Sequence, residues 1–397
     1  MNSEFDEIID RRNSNSIKWN RYKEDVIPLW VADMDFRSPP PVAAALHKAV
    51  DHGVFGYPDT PASLRGRLAS RMERLYGWEV DPDWVVATTG LVSGFHAAAA
   101  ALCEPGEGYL IQPPVYMPFN ELGGHLGLVR QEAPLATSES ADSLLYSINW
   151  DIFESAFGSR GARTAMFLLC DPHNPVGLVW DEATQRRMAE AAISRGAAIV
   201  SDEIHAELLL DDIGHRPVAA ADPAFAARSV TLVSPSKTFN IAGLFCGFAI
   251  MPDAGIRAAF EREEERMTLH CTSLSLVAAE EALSGSCDTW LADVRDYLRA
   301  NRDFVLDFLR ERMPSLRATR PAATHLLWLD CRRLGLDSPA DFFLERARVG
   351  LNDGAAFGAG GKGFVRLNFA SPRSLLAEAL ERMARAIDDR AGPSPRE

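Results

Sequence analysis

Five reactive side chains stand in this sequence where burial patterning would not put them. Lys237 lies in SPSKTFNIAGL (234–244), directly after the apolar run Val230–Val233, not among the polar residues where surface lysines live. Burial disfavours the ammonium form, and a deprotonated amine can attack a carbonyl. Asp202 closes another apolar run inside SDEIH, and His205 follows three residues on, one helical turn away on the same side. A buried carboxylate needs a cation or a donor. Asn174 lies in DPHNPVG (171–177), a turn by composition, and its amide both donates and accepts. Arg366 is the charge on the apolar segment GFVRLNFA (363–370), and its planar fork fits a carboxylate.

Two further stretches complete the set. Gly90-Leu91-Val92 stand between a strand-like run and a helix start, where backbone N–H groups and the helix dipole favour an anion. Tyr116 in PPVYMPF (113–119) offers a flat face. Each residue alone has an ordinary explanation: a strand-end lysine reaching water, a capping aspartate, a satisfied histidine, a turn asparagine, a packed tyrosine. Together they match the needs of one cofactor. Pyridoxal 5'-phosphate requires an amine for its aldehyde, an acid opposite the ring nitrogen, a donor at the ring hydroxyl and a phosphate cradle. On this reading Lys237 carries the aldehyde and Ser234, three residues earlier, bonds the phosphate.

The elements that must position these groups alternate. Strand patterns fall at Trp84–Thr89, Tyr109–Gln112, Thr164–Cys170, Ala197–Val200, Ser229–Val233 and Cys246–Met251. Helix patterns fall at residues 93–102, rich in alanine, and from an Asp181 cap to about Arg195. Fully apolar strands between helices predict an α/β fold with a mainly parallel sheet, whose ligands bind beyond the strands' carboxyl ends. Gly90, Asp171, Asp202 and Ser234–Lys237 all follow strand-like runs, so they are expected on one rim. The C-terminal third reads as a smaller α+β domain: a long helix over 287–312, strands at His325–Asp330 and Gly363–Phe369, and a helix from about Ser374 to Asp388. The expected division is a segment of residues 1–45 packing with the small domain, a large cofactor-binding domain over 46–280, and the small domain over 281–397. The last nine residues, DRAGPSPRE, are expected to be disordered.

Composition narrows the class. The 397 residues carry a formal net charge of −14, which argues against a nucleic-acid or anionic-membrane surface. No apolar run reaches the ~18 residues of a membrane helix, and the acidic start MNSEFDEIIDRR has no signal-peptide pattern. The six scattered cysteines form no Cys-x-x-Cys pair and read as free thiols. The cytoplasm is the expected location, and no metal site is expected.

The motifs resemble the fold-type I pyridoxal-phosphate enzymes of the class I/II aminotransferase superfamily, and more narrowly the MalY/PatB branch of cystathionine β-lyases. LWVADMDF (29–36), VFGYPD (54–59), PPVYMPF, DPHNPVGLVW (171–180), SDEIHAEL (201–208), SPSKTFNIAGL and GFVRLNFA carry the likeness along nearly the whole chain. The resemblance implies that Lys237 forms the Schiff base, that Asp202 faces the ring nitrogen, and that His205 with Asn174 serves the ring hydroxyl. It implies that Tyr116 stacks on the ring and that Gly90, Leu91, Val92 and Ser234 cradle the phosphate. It further implies that Tyr57 reaches the neighbouring subunit's phosphate, hence a homodimer. Arg366 would clamp the substrate α-carboxylate, with the backbone near Ala32 closing over it. His325, the pair Phe245-Cys246 and Asn352-Asp353 depart from the branch pattern, in or near substrate regions.

The reaction so implied is β-elimination from an L-cysteine S-conjugate, giving a thiol, pyruvate and ammonia. Lys237 would take the Cα proton, and Lys237, Tyr57 or Tyr116 would protonate the departing thiolate. Transamination from the same carbanion and a regulator-binding role are the alternatives. No obvious second arginine awaits a dicarboxylate side chain.

Overall fold

The computed structural model describes residues 3–139 and 143–391. Its main sheet is built from β1 (Val85–Thr88), β2 (Gly108–Ile111), β3 (Val129–Glu132), β4 (Thr164–Cys170), β5 (Ala198–Asp202), β6 (Ser229–Val233) and β7 (Gly247–Ile250). The strand order is β1-β7-β6-β5-β4-β2-β3, parallel except for β7, which runs antiparallel to both neighbours. Strands β4, β5 and β6 are buried along their whole length, as a parallel sheet covered on both faces requires. Helix α1 (Leu91–Leu102) lies so close to the sheet that a Cβ on Gly94 would stand 3.1 Å from a Leu232 methyl. Helix α2 (Glu182–Ser194) begins where the Asp181 carboxylate accepts the Thr184 N–H at 2.7 Å.

A second sheet is antiparallel, in the order β8 (Arg317–Ala318), β9 (Leu326–Asp330), β11 (Phe364–Asn368), β10 (Asn352–Asp353). Helices α3 (Asp288–Arg312) and α4 (Arg373–Ala391) accompany it. Val294 and Leu298 of α3, Leu376 and Leu380 of α4, and Leu327, Val365 and Leu367 of the strands share one core with Phe5, Ile27, Leu29 and Phe36. Ile27–Pro28 also pairs with Val349–Gly350 as a short parallel ladder.

One expectation needs correction at the C-terminus. Helix α4 does not stop at Asp388 but continues through Ala391. Arg390 donates to the Leu334 carbonyl at 2.5 Å, which ties down the turn that composition alone marked as disordered. The rest of that tail, residues 392–397, lies outside the described residues.

Candidate active site

The parallel strands deliver their following residues to one rim. Gly90 follows β1, Asp171 follows β4, Asp202 ends β5 and Ser234 follows β6. Above that rim lies a cavity of about 420 Å³, closed on the far side by Trp30–Ala32 and Arg366. Lys237, on the one-turn helix Pro235–Thr238, lines this cavity and donates from Nζ to the Ala32 carbonyl at 2.6 Å. Burial pushes its amine down to about 8; Asp33 and Asp202 oppose the shift and Arg366 adds to it.

Asp202 lines the same cavity, almost fully buried, and its side chain accepts the Ile204 N–H at 3.1 Å. Burial drives its carboxyl up to about 7, with neighbouring Glu203 adding to the rise and Lys237 opposing it. His205 shares the cavity, as its one-turn spacing from Asp202 predicts. Burial takes its imidazole down to about 3, so the ring is neutral, and its Nδ1 is buried without a partner. His325 meets that ring edge-to-face at 5.8 Å.

Arg366 sits at the centre of the second sheet, paired across β9 with Trp328 and across β10 with Asn352. Its guanidinium donates to Asn174 Oδ1 at 3.1 Å, Asn352 Oδ1 at 2.7 Å and the Trp30 carbonyl at 3.0 Å. The Phe357 ring lies 5.0 Å from it. All three acceptors are neutral, Nε is buried without a partner, and burial lowers the group to about 10. A buried cation with no anion beside it is prepared to receive one.

At the other end, Gly90 caps α1 with φ +144° and the helix opens at Leu91, so its first N–H groups face the cavity. Thr89, Ser93, Ser234 and Ser236 line the same end. Ser234 donates its hydroxyl to the Cys246 carbonyl at 2.6 Å and Ser236 does so at 3.3 Å. Either must turn its hydrogen to bind a phosphate oxygen. Tyr116 lines the cavity beside Met117. Tyr57 does not join the cavity of its own chain: it is fully exposed, near the likewise exposed Val54 and Phe55. Phe245, held at φ +51°, stands at the mouth, and Cys246 is buried behind the two serines.

Three contributors were not among the expected site residues. Asn352 and Trp30 hold Arg366, and Ser236 joins Ser234. Asn352 was visible only as a departure from pattern, because its role depends on cross-strand register. Ser236, immediately before the lysine, was the one with a local signal.

The group implied by the sequence fits this arrangement. A buried carboxylate at about 7 with one N–H partner has a place for a cationic N–H, such as a pyridinium. The hydroxyls and helix N-terminus suit a phosphate, and the depressed lysine suits an aldehyde.

The sequence profile of the family described as aminotransferase class I and II matches residues 24–383. Cystathionine beta-lyase PatB of Bacillus subtilis is 34% identical over 391 residues, covering 96% of this chain and 99% of that protein. Cystalysin from Treponema denticola, whose structure contains pyridoxal 5'-phosphate, superposes with a TM-score of 0.91 at 30% identity, over 97% of this chain and 98% of its own. The pyridoxal-phosphate-bound C-S lyase of Staphylococcus hominis superposes with a TM-score of 0.89 at 27% identity, over 98% of both chains.

Proposed function

Starting from a chain that belongs to the aminotransferase class I and II family, we propose a pyridoxal-phosphate-dependent carbon–sulfur β-lyase acting on an L-cysteine S-conjugate. The observation that carries this reading is one cavity lined by a buried lysine at about 8, a buried acid at about 7, and a buried arginine without an anion. The relatives named cystathionine beta-lyase and C-S lyase favour elimination. So does the lining of the cavity, where Arg366 is the one arginine among the described residues. It serves the α-carboxylate, which leaves none for a second carboxylate on the side chain.

The cofactor is pyridoxal 5'-phosphate, and when bound it supplies the electron sink that acidifies the substrate Cα. Asp202 would face the ring nitrogen as a carboxylate and favour a proton on it. His205 and Asn174 would serve the ring hydroxyl, and Tyr116 would cover one face. Gly90, Leu91, Val92 and Ser234 would hold the phosphate. Arg366 fixes the α-carboxylate and so turns the Cα proton toward Lys237. With its amine lowered to about 8, Lys237 would be increasingly deprotonated from about pH 8 upward and would take that proton as general base, a role worth roughly 10²–10⁴-fold. Lys237, Tyr116 or Tyr57 returns a proton to the leaving sulfur.

Tyr57, which points away from its own subunit, reaches the phosphate of a second copy in a homodimer. The chain divides at about residues 45 and 280, the first segment packing with the last. No helix among the described residues is long and apolar enough to cross a membrane. All six cysteines are free, the state a reducing compartment maintains, and we assign the cytoplasm.

The test is a product assay on S-substituted cysteines with no keto acid added. Pyruvate and free thiol in equal amounts are expected, and Lys237→Ala lowers the rate by at least about 10²-fold and retains no cofactor after borohydride reduction. Turnover that depends strictly on an added keto acid would establish a transaminase instead.

A further inference from the structure

Behind the cavity, on the opposite face of the sheet, lies a buried polar cluster that the reaction does not use. Side chains alternate along β5, so Asp202 faces the cavity while Ser201 and Glu203 face away. Ser201 donates to Glu203 Oε1 at 3.0 Å. Asp171, one residue beyond β4, is held there by Gln185 of α2, which donates to its Oδ2 at 2.5 Å and to the Arg216 carbonyl at 3.0 Å. His215 sits between the two acids. Its Nε2 lies 3.0 Å from Glu203 Oε2 and its Nδ1 lies 3.9 Å from Asp171 Oδ2. The imidazole and both carboxylates are almost completely buried.

These two acids adjoin the site directly. The register pairs Cys170 with Asp202, and the Asp171 N–H donates to the Asp202 carbonyl at 3.0 Å. Asp171 opens the loop that carries Asn174, and Glu203 follows Asp202. A cation bridging Asp171 and Glu203 therefore fixes the ends of two neighbouring strands and offsets the charge beside the cofactor's acid.

We propose that His215 is a positioning residue for the cofactor: as an imidazolium it bridges Asp171 and Glu203 and thereby holds Asp202 and Asn174 in place. Burial works against the charged ring, but Asp171 and Glu203 outweigh it, and the imidazole is raised above its ordinary value. The remaining ionisable surroundings are Tyr76, whose ring meets His215 edge-to-face at 5.6 Å, and beyond it Glu207, Arg71 and Arg295. Arg74 and Asp288 line the cleft that opens on this side.

The role rests on the cofactor reading above, and the two fail differently: a wild-type chain that binds no pyridoxal phosphate sinks the reading. The experiment measures pyridoxal-phosphate affinity of the cofactor-free protein by equilibrium dialysis, with melting temperature recorded alongside. His215→Gln keeps a donor to Glu203 but removes the charge, and at pH 8 it should weaken cofactor affinity at least about tenfold. The defect should shrink at pH 6, where one of the two stranded carboxylates takes a proton. The pair Glu203→Gln/His215→Gln should recover most of the loss at pH 8. Unchanged affinity with only a lower melting temperature overturns the proposal, as does a double variant no better than the single one. If the variants do not fold, ¹³C-histidine NMR of the wild-type holoenzyme decides: a neutral His215 ring at pH 7 overturns it.

Discussion

On the proposed reading, burying Asp202 for a cofactor comes at the expense of the empty fold. Its carboxyl lies at about 7 in the cofactor-free protein, against ~4 for an unfolded aspartate. The folded state therefore binds more protons between those values, and this residue's contribution to stability falls as pH rises from about 4 to 7. Asp202→Asn should raise the melting temperature of the cofactor-free protein at pH 8 by at least roughly 3 °C, an advantage that disappears near pH 4. The same substitution should cut turnover of the loaded enzyme by at least about 10²-fold, so calorimetry and kinetics move in opposite directions. Arg366 makes a different prediction. Lysine keeps the charge but not the fork that Asn174 and Asn352 orient, so Arg366→Lys should raise KM roughly 10- to 100-fold while kcat changes less. Equal losses in both constants would mean that the arginine acts on the reacting bonds and not only on the carboxylate.

The elements explain which residues could be found from sequence. Lys237, Asp202 and Arg366 were legible because a charge at the end or centre of an apolar run is costly, and the cost signals a partner. Strands β4 and β6 were legible because they are mostly apolar, and both prove buried along their whole length. His215 was not, since DDIGHRP is an ordinary polar loop, and its importance arises only when β4 and β5 bring Asp171 and Glu203 together. Asn352 was hidden in the same way by the pairing of β10 with β11. The DPHNPVG turn illustrates the link between the two sheets. Gly177 has φ +74°, a Cβ there would run into Pro321, and its carbonyl accepts the Ala322 N–H at 2.9 Å. Gly177→Ala should cost about 1–3 kcal/mol, seen in chemical denaturation, and should weaken substrate binding by displacing Asn174 and with it Arg366.

At the scale of the whole molecule, on the proposed reading the main sheet would supply the cofactor's groups and the second sheet the carboxylate clamp. The cavity exists only between them. In the proposed homodimer Tyr57 would be a third source; it is fully exposed, and its position was beyond what patterning could assign. Tyr57→Phe should weaken cofactor affinity a few-fold while the melting curve of the cofactor-free protein stays unchanged. Mixing this variant with a cavity-dead Lys237→Ala chain then tests the exchange between subunits: a heterodimer holds one site free of both changes.

The strip from Trp30 to Phe36 is bound on both sides. Asn368 donates to the Val31 and Asp33 carbonyls, and Asn240 to those of Met34 and Phe36. Asp35 within it is buried and receives Lys18 at 2.7 Å, the Trp19 indole at 2.8 Å and the Ser371 hydroxyl at 2.6 Å. The Ala32 carbonyl that meets the reactive amine thus depends on side chains contributed before residue 20. A preparation clipped there by a protease would leave that buried carboxylate without its cation, held only by the Ser371 hydroxyl, and slacken the strip, although the cut lies outside every motif. Batches that differ in specific activity should accordingly be compared first by intact mass at the amino terminus.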